Sequence, residues 1–303
     1  MKLPIRSWEK IFLKRMSRSV TEKDRNRKGL LLVLLGAIAF SFGGLFVKLI
    51  PWAPLSISSG RCIFSSLVIY LYIRLSGHRL VFNKTVFLGA VCVALMLLCY
   101  VTSMKLTSAA NAIVLEYTAP LFVILFEAIF FSKKPKKEDI LVSIAVFAGI
   151  AIIVSDGLGQ GNLWGDMIAL LSGIFYALTI MLNDFEGGDS LSSVFFGHFM
   201  MIFIGMPSLI AEPDKSMKTL LLLAFLGIFQ AGAGYTLLTA GLRLCEPLQG
   251  SLVASIEPVL NPILVAVFYK EYVSFKTVIG GILVIASIAV YNIYSMKQEK
   301  TEI

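Results

Sequence analysis

Charge is what this chain has least of: Asp, Glu, Lys and Arg make up 15% of its 303 residues, against about 25% in a soluble domain. Histidine occurs only twice and cysteine four times. Cys62, Cys92, Cys99 and Cys245 form no CxxC pair and have no histidine at ligand spacing, which excludes a zinc site and a disulfide framework. They read as reduced thiols packed like small hydrophobes. No Ser-His-Asp set, metal cluster or phosphate loop is present, and Gly232-Ala-Gly234 lacks the Lys and the strand that a phosphate loop needs. The sequence therefore predicts neither an enzyme nor a resident cofactor or metal. A cleavage site of small residues is missing after the first apolar stretch, which is also too long for a signal-peptide core, so that stretch is expected to stay as a span.

What the chain has instead is apolar length. Hydrophobic residues reach 57% and the mean hydropathy is +0.83, the composition of an all-α polytopic membrane protein. A bilayer core takes about 20 apolar residues to cross. Ten stretches qualify: 29–50, 55–74, 84–105, 108–131, 138–156, 163–183, 191–211, 217–242, 247–269 and 274–295. One of them is written twice. Ser103 to Asn111 followed by Ala119-Pro120 aligns without a gap on Gly241 to Gln249 followed by Glu257-Pro258, an offset of 138 residues. Gly89 falls on Gly227, Lys105 on Arg243, and Phe130-Phe131 on Phe268-Tyr269. With five spans per half, an odd number, the two copies point in opposite directions, which is the mark of an inverted-repeat transporter. The expected organisation is a basic N-terminal segment at 1–28, a first repeat at 29–156, a second at 163–295 and a tail at 296–303.

The first 28 residues carry ten Lys or Arg against three acids, which places the N-terminus, and with ten spans the C-terminus, in the cytoplasm. Arg74, Arg79 and Lys84, then Lys133, Lys134, Lys136 and Lys137, keep that bias in the first half. The second-half counterparts hold Lys215, Lys218, Lys270 and Lys276. The short acidic loop from Asp184 to Asp189 runs mildly against the assignment. Because topology accounts for most of the net charge of +8, no nucleic-acid partner is expected. Trp8, Ile11, Phe12, Met16 and Val20 recur at helical spacing among basic residues, a pattern that fits a helix on the inner leaflet and equally a disordered basic tail.

A charge at the bilayer centre costs about 2.5–3.5 kcal/mol on insertion scales, so acids deep in spans are the first candidates for function. Glu116 in span 4 and Glu257 in span 9 stand near midspan, in the duplicated pair of helices, as proton-coupling and substrate-binding candidates. Tyr117 is adjacent. Asn111 near Glu116, and Gln249 and Asn261 on the Glu257 face, extend the polar set. Pro120, Pro258 and Pro262 each free a backbone carbonyl, a break tolerated where it faces protein or a water-filled cavity. Phe40 and Phe42 in span 1, Tyr100 in span 3, Tyr176 in span 6, and Gln230 and Tyr235 in span 8 suit an amphipathic small molecule. Glu127 reads as one end of an ion pair with Lys133 or Lys134. Lys48 and Arg61 read as snorkelling anchors, and His198 as interfacial. Ala145 and Gly149 suit close helix packing within one chain or between two, so a monomer and a dimer both remain open.

Phe40-Ser-Phe-Gly-Gly-Leu-Phe-Val-Lys48, then Arg61, Asn111-Ala-Ile-Val-Leu-Glu-Tyr-Thr-Ala-Pro120, Glu257-Pro258, Lys270-Glu271 and Gly280-Gly281 resemble the EamA family of the drug/metabolite transporter superfamily. The resemblance covers about residues 29–295. It implies two inverted five-helix repeats around a central cavity walled by spans 1, 3, 4, 6, 8 and 9, and export of amino acids or related metabolites across the inner membrane. Glu116 stands where members of that family often carry Gln, and Lys133 where an acid is common. A membrane receptor or scaffold without transport activity is the alternative reading.

Overall fold

The computed structural model describes residues 22–130, 137–160, 163–245 and 247–299. The basic stretch around Trp8 and the loop lysines Lys133, Lys134 and Lys136 lie outside them, as do the last four residues, 300–303. The described residues are helical throughout, with no strand among them.

Helix α1 (Glu22–Ser41) begins within the basic segment, breaks at Phe42, and continues as α2 (Gly43–Leu49). Then follow α3 (Pro54–Leu75), α4 (Lys84–Leu106), α5 (Ala109–Glu116), α6 (Ala119–Phe130), α7 (Lys137–Gln160), α8 (Leu163–Asp184) and α9 (Ser190–Ala211). The remainder is α10 (Met217–Phe225), a π-helical stretch at Leu226–Ala233, α11 (Gly234–Leu242), α12 (Pro247–Ala254), α13 (Glu257–Leu264), a second π-helical stretch at Val265–Tyr269, and α14 (Phe275–Glu299). Helix α14 thus absorbs the start of the expected tail.

Local chemistry sets many of these boundaries. Pro54 opens α3, where its missing N–H costs nothing. The side chains of Asn83, Ser108, Asp189 and Ser216 cap α4, α5, α9 and α10 by accepting from the backbone N–H three residues on. Lys270 ends the second π stretch with φ of 59°, a left-handed stop unusual for a residue other than glycine.

Eight helical stretches are long and apolar enough to cross a membrane: Asp24–Leu49, Pro54–Leu75, Lys84–Leu106, Ala109–Phe130, Lys137–Ser155, Leu163–Leu182, Ser190–Ala211 and Met217–Leu242. Glu257–Tyr269 and Phe275–Tyr291 are shorter and also apolar. Their packing inverts the soluble pattern. Ser56, Ser58, Ser59, Ser65, Ser103, Ser192 and Ser193 are buried, while Leu67, Leu75, Phe203, Leu221 and Val290 are exposed, as expected when the outer solvent is lipid and close helix contact needs small residues. Gly149 shows the need directly: a Cβ there would lie 2.9 Å from the carbonyl oxygen of Gly280, so this glycine serves contact between α7 and α14.

Polar contacts among loops and helix ends define two ends of the bundle. At the near end, where α1 begins, Asn26 donates to Gln249 at 2.8 Å, His78 pairs with Asp189 at 3.0 Å and Asn83 donates to the Gly187 carbonyl at 2.7 Å. At the far end, where α2 finishes, Trp52 donates to the Asp214 carbonyl at 2.8 Å and Lys105 to the Ile50 carbonyl at 2.5 Å. Near-end Asp189 is pushed up by partial burial, but bonds from Ser192 and His78 outweigh that and hold its carboxyl below the ordinary value.

Candidate functional site

The duplicated helices break at equivalent places. Helix α5 stops at Glu116 and α6 starts at Ala119; 138 residues further on, α12 stops at Ala254 and α13 starts at Glu257. Pro120 and Pro258 explain both interruptions, because each lacks the N–H that residue i−4 needs and crowds that carbonyl. In the first break the carbonyls are taken up by the protein. Thr118 Oγ1 donates to the Leu115 carbonyl at 2.6 Å. Gly173 of α8 lies so close that a Cβ would be 3.0 Å from the Glu116 carbonyl oxygen.

Each break carries one acid. Glu116 Oε1 accepts from Ser172 Oγ of α8 at 2.8 Å, and the same hydroxyl lies 3.2 Å from the Met96 carbonyl of α4. A serine has one proton to donate. It satisfies the carbonyl or the carboxylate, so the protonation state of Glu116 decides which contact is a hydrogen bond from Ser172. Glu257 Oε2 accepts from Tyr117 Oη at 2.7 Å, which ties the first break to the second. The two acids interact electrostatically. Tyr176 of α8 lies within Coulombic range of both and still has 38% of its surface open.

On the α1–α2 side the polar groups gather around Tyr100. Asn261 Nδ2 donates to Tyr100 Oη at 3.4 Å, and a Cβ on Gly43 would lie 3.1 Å from both Tyr100 Oη and Gln230 Nε2. Gln230 comes from the π-helical stretch, whose wider turn is common where a helix presents a side chain to a site. Phe42, at the break, packs on Phe46 and Phe229 with ring centroids 6.2 and 6.1 Å away. Phe46 stacks on Phe225 at 4.4 Å.

The structure therefore brings together Glu116, Tyr117, Glu257, Tyr100, Tyr176, Gln230, Asn261 and Phe42 of the expected set, and separates others from it. Phe40 packs against Gly234 of α11. Tyr235 shares a 3.2 Å hydrogen bond with Ser190 near the start of α9. Gln249 is at the near end with Asn26. Asn111 sits in a far-end network, donating to Asp166 Oδ1 at 3.0 Å and accepting from Thr277 at 2.6 Å, while Thr107 donates to the same Asp166 oxygen at 2.6 Å.

Three expectations need correction. Arg61 is no snorkelling anchor: it is 2% exposed, with its guanidinium 5.8 Å from the centre of the Tyr100 ring. Lys48 pairs with Glu271 at 3.2 Å and donates to the Thr107 carbonyl at 2.8 Å. His198 is 5% exposed and its Nδ1 lies 2.9 Å from the Val194 carbonyl, so it is a packed helix residue and not an interfacial one. For Arg61 and His198 distance from a span end is a poor guide, because their helices, α3 and α9, are pressed together at glycine: a Cβ on Gly205 would lie 2.5 Å from Ser59 Cβ. Asp166 escapes a reading by sequence, and Glu271 enters it only through the Lys270-Glu271 motif of the family resemblance. Both lie at span ends, where a search confined to midspan acids does not look. Glu271 Oε1 also accepts from the Ala109 N–H at 2.8 Å, so one side chain clasps α2, the start of α5 and the loop after α13.

Apolar helices turned outward and polar groups converging on broken helices define a polytopic membrane protein of the transport type. The EamA-like transporter family matches residues 27–155 and again 163–293, and the chain belongs to that family. Solute carrier family 35 member G1 of Homo sapiens is 27% identical over 305 residues, covering 89% of this chain and 81% of that one. The uncharacterized inner membrane transporter YedA of Escherichia coli K12 is 29% identical over 42% of each chain. The pseudopaline exporter CntI of Pseudomonas aeruginosa is 28% identical over 51% of this chain and 56% of its own length. A solved crystal structure shares the fold with a TM-score of 0.62 at 16% identity, covering 88% of this chain and 97% of its own. The protein is a multi-pass membrane transporter acting on a small-molecule substrate.

Proposed function

We propose that this transporter moves amphipathic metabolites of the amino-acid class outward across the inner membrane, by alternating access around Glu116 and Glu257. One observation carries the reading: two partly buried acids stand at two equivalent helix breaks and are joined by Tyr117. Half-helix ends beside carboxylates are how a membrane protein builds a polar site at its midplane. The same two acids are the candidate proton carriers.

The architecture proposed with it is ten spans in two inverted repeats, residues 29–156 and 163–295, with both termini cytoplasmic. The repeated family match, the common 138-residue offset of the helix breaks, and the placement of Asn111 and Gln249 at opposite ends support it. The His78–Asp189 pair also supports it, since it puts the acidic loop beside the basic loop after α3 and removes the objection that its charge raised. Outward transport is supported by the name of the exporter among the relatives, and the inner membrane by that of YedA. Lys48, Glu271, Thr107 and Ala109 are joined at the far end, which supports a state closed at that end. Rocking of one repeat against the other would release that clasp and expose the acids to the outside.

The test is flux of labelled amino acids and related metabolites into proteoliposomes, with and without an imposed pH gradient. Saturable flux that follows the gradient is expected. Saturable flux indifferent to it would overturn proton coupling and leave a facilitator; no flux across a broad panel would favour a receptor or scaffold.

A further inference from the structure

Arg61 presents a problem of charge. A guanidinium offers five N–H donors and cannot be discharged, yet this one is 2% exposed and, among the described residues, makes a single long hydrogen bond, from Nη2 to the Leu97 carbonyl at 3.5 Å. Its Nε has no partner, and among the described residues it forms no ion pair. Glu116 is near enough to feel it electrostatically without touching it. A buried charge left in that condition is strongly unfavourable unless another state satisfies it.

Two acceptors are left over in the same cluster. Gln230 Oε1 and Asn261 Oδ1, 4% and 0% exposed by residue, have no donor. Tyr100 links the three residues: its ring faces the Arg61 guanidinium and its hydroxyl accepts from Asn261, with the Gln230 amide beside it. The π-helical stretch bearing Gln230 is itself pressed on α3, where a Cβ on Gly227 would lie 2.5 Å from the Arg61 carbonyl oxygen. Gly43 and Gly44 cover the cluster, and a Cβ on Gly44 would overlap Asn261 Oδ1. Helix α2 therefore acts as a stopper on these groups, and it is the helix that Lys48 fastens to Glu271. In the alternating-access reading, release of the far-end clasp would free α2 and uncover a cationic fork flanked by two carbonyl oxygens.

We propose that Arg61, with Gln230 and Asn261, is a subsite for the carboxylate end of the substrate. The guanidinium takes a carboxylate in the two-pronged geometry it prefers, the amide oxygens accept from N–H groups beside that carboxylate, and Glu116 and Glu257 remain for a cationic or hydroxyl group further along. This rests on the transport reading above and narrows its substrate to compounds with a free carboxylate.

The experiment uses matched triads, leucine and phenylalanine each with its methyl ester and its decarboxylated amine, as competitors of binding and flux with the full-length protein in proteoliposomes. Wild type is expected to favour each acid over its ester at least tenfold. Arg61→Gln and Arg61→Met are expected to bring that ratio within about twofold while amine binding persists, with Arg61→Lys in between. An equal loss for acid and ester would mean Arg61 only supports the fold, and would overturn the subsite. So would a wild type that binds ester as well as acid, although the transport reading would survive that result. Failure of every member to bind wild type overturns the subsite and the amino-acid reading together. Should Arg61 variants not fold, Gln230→Glu serves: it sets a fixed carboxylate beside the guanidinium and is expected to expel the acid ligands selectively. Unchanged selectivity in folded Gln230→Glu overturns the proposal.

Discussion

Tyr117 shows how much one side chain decides at the centre of this protein. It stands next to Glu116 in sequence and yet serves the other acid, donating to Glu257 across the space between the two breaks. Hydrogen bonds to charged groups contribute about 1.5–3 kcal/mol, and a factor of ten corresponds to about 1.4 kcal/mol. Tyr117→Phe is therefore expected to weaken saturable flux roughly 10- to 100-fold in KM with the fold kept, read by the proteoliposome assay; an unchanged KM would remove Tyr117 from the site. Glu116 allows a different test. Its donor among the described residues, Ser172, is shared with the Met96 carbonyl, an arrangement able to serve both protonation states. Glu116→Gln fixes the neutral form and is expected to flatten the dependence of flux on pH. Glu127→Gln, placed further along α6 from the break, is expected to leave that dependence in place. If both variants keep the wild-type profile, Glu116 carries no proton.

At the scale of elements, the loops do more than connect. Asp189 caps α9 through Ser192 and pairs with His78 from the loop after α3. Its carboxyl titrates below the ordinary value of 3.8, so the sign is fixed: the ionised form stabilises the folded state above pH 3.8, and the contribution is lost as pH falls below it through the lower folded value. Asp189→Asn keeps a capping side chain and loses only the charge, whereas Asp189→Ala loses the cap as well, worth roughly 0.5–2 kcal/mol. Thermal melting is expected to rank wild type above Asn above Ala at pH 7, with wild type and Asn converging in acid. The far-end clasp is the counterpart. Glu271→Gln removes the charge that holds Lys48 and is expected to raise, several-fold, the rate at which an impermeant thiol reagent reaches Cys99, which lies in the electrostatic range of Glu116. The other three cysteines are replaced for this measurement. A rate unchanged in Glu271→Gln would show that the ion pair does not hold the bundle closed.

For the whole molecule, the two-ended arrangement of contacts follows from small residues and backbone breaks acting together. Glycine lets α7 and α14 approach to backbone contact, while prolines interrupt the duplicated helices at matching points. The close contact of α7 with α14 joins the two halves, and the interruptions lie at the acids. The sequence disclosed this only in part. The Glu116 and Glu257 pair was legible because an acid inside an apolar run is costly and persists where it serves a site, and the breaks because proline removes a donor wherever it stands. Arg61 was not legible: a span position gives depth in a bilayer and says nothing about which neighbour closes over the side chain.

By itself the sequence determined the all-helical membrane class, the duplication and the family, since these depend on apolar length, on repeated spelling and on motifs that survive without knowledge of packing. Only the tertiary structure decided which polar residues meet. It joined Tyr117 to Glu257, separated Asn111 from Gln249, buried Arg61 beside Tyr100, and made Lys48 and Glu271 a clasp. The physical reason is that helical spacing fixes a side chain's direction within its own helix, while its partners depend on how helices far apart in sequence are turned and tilted against one another.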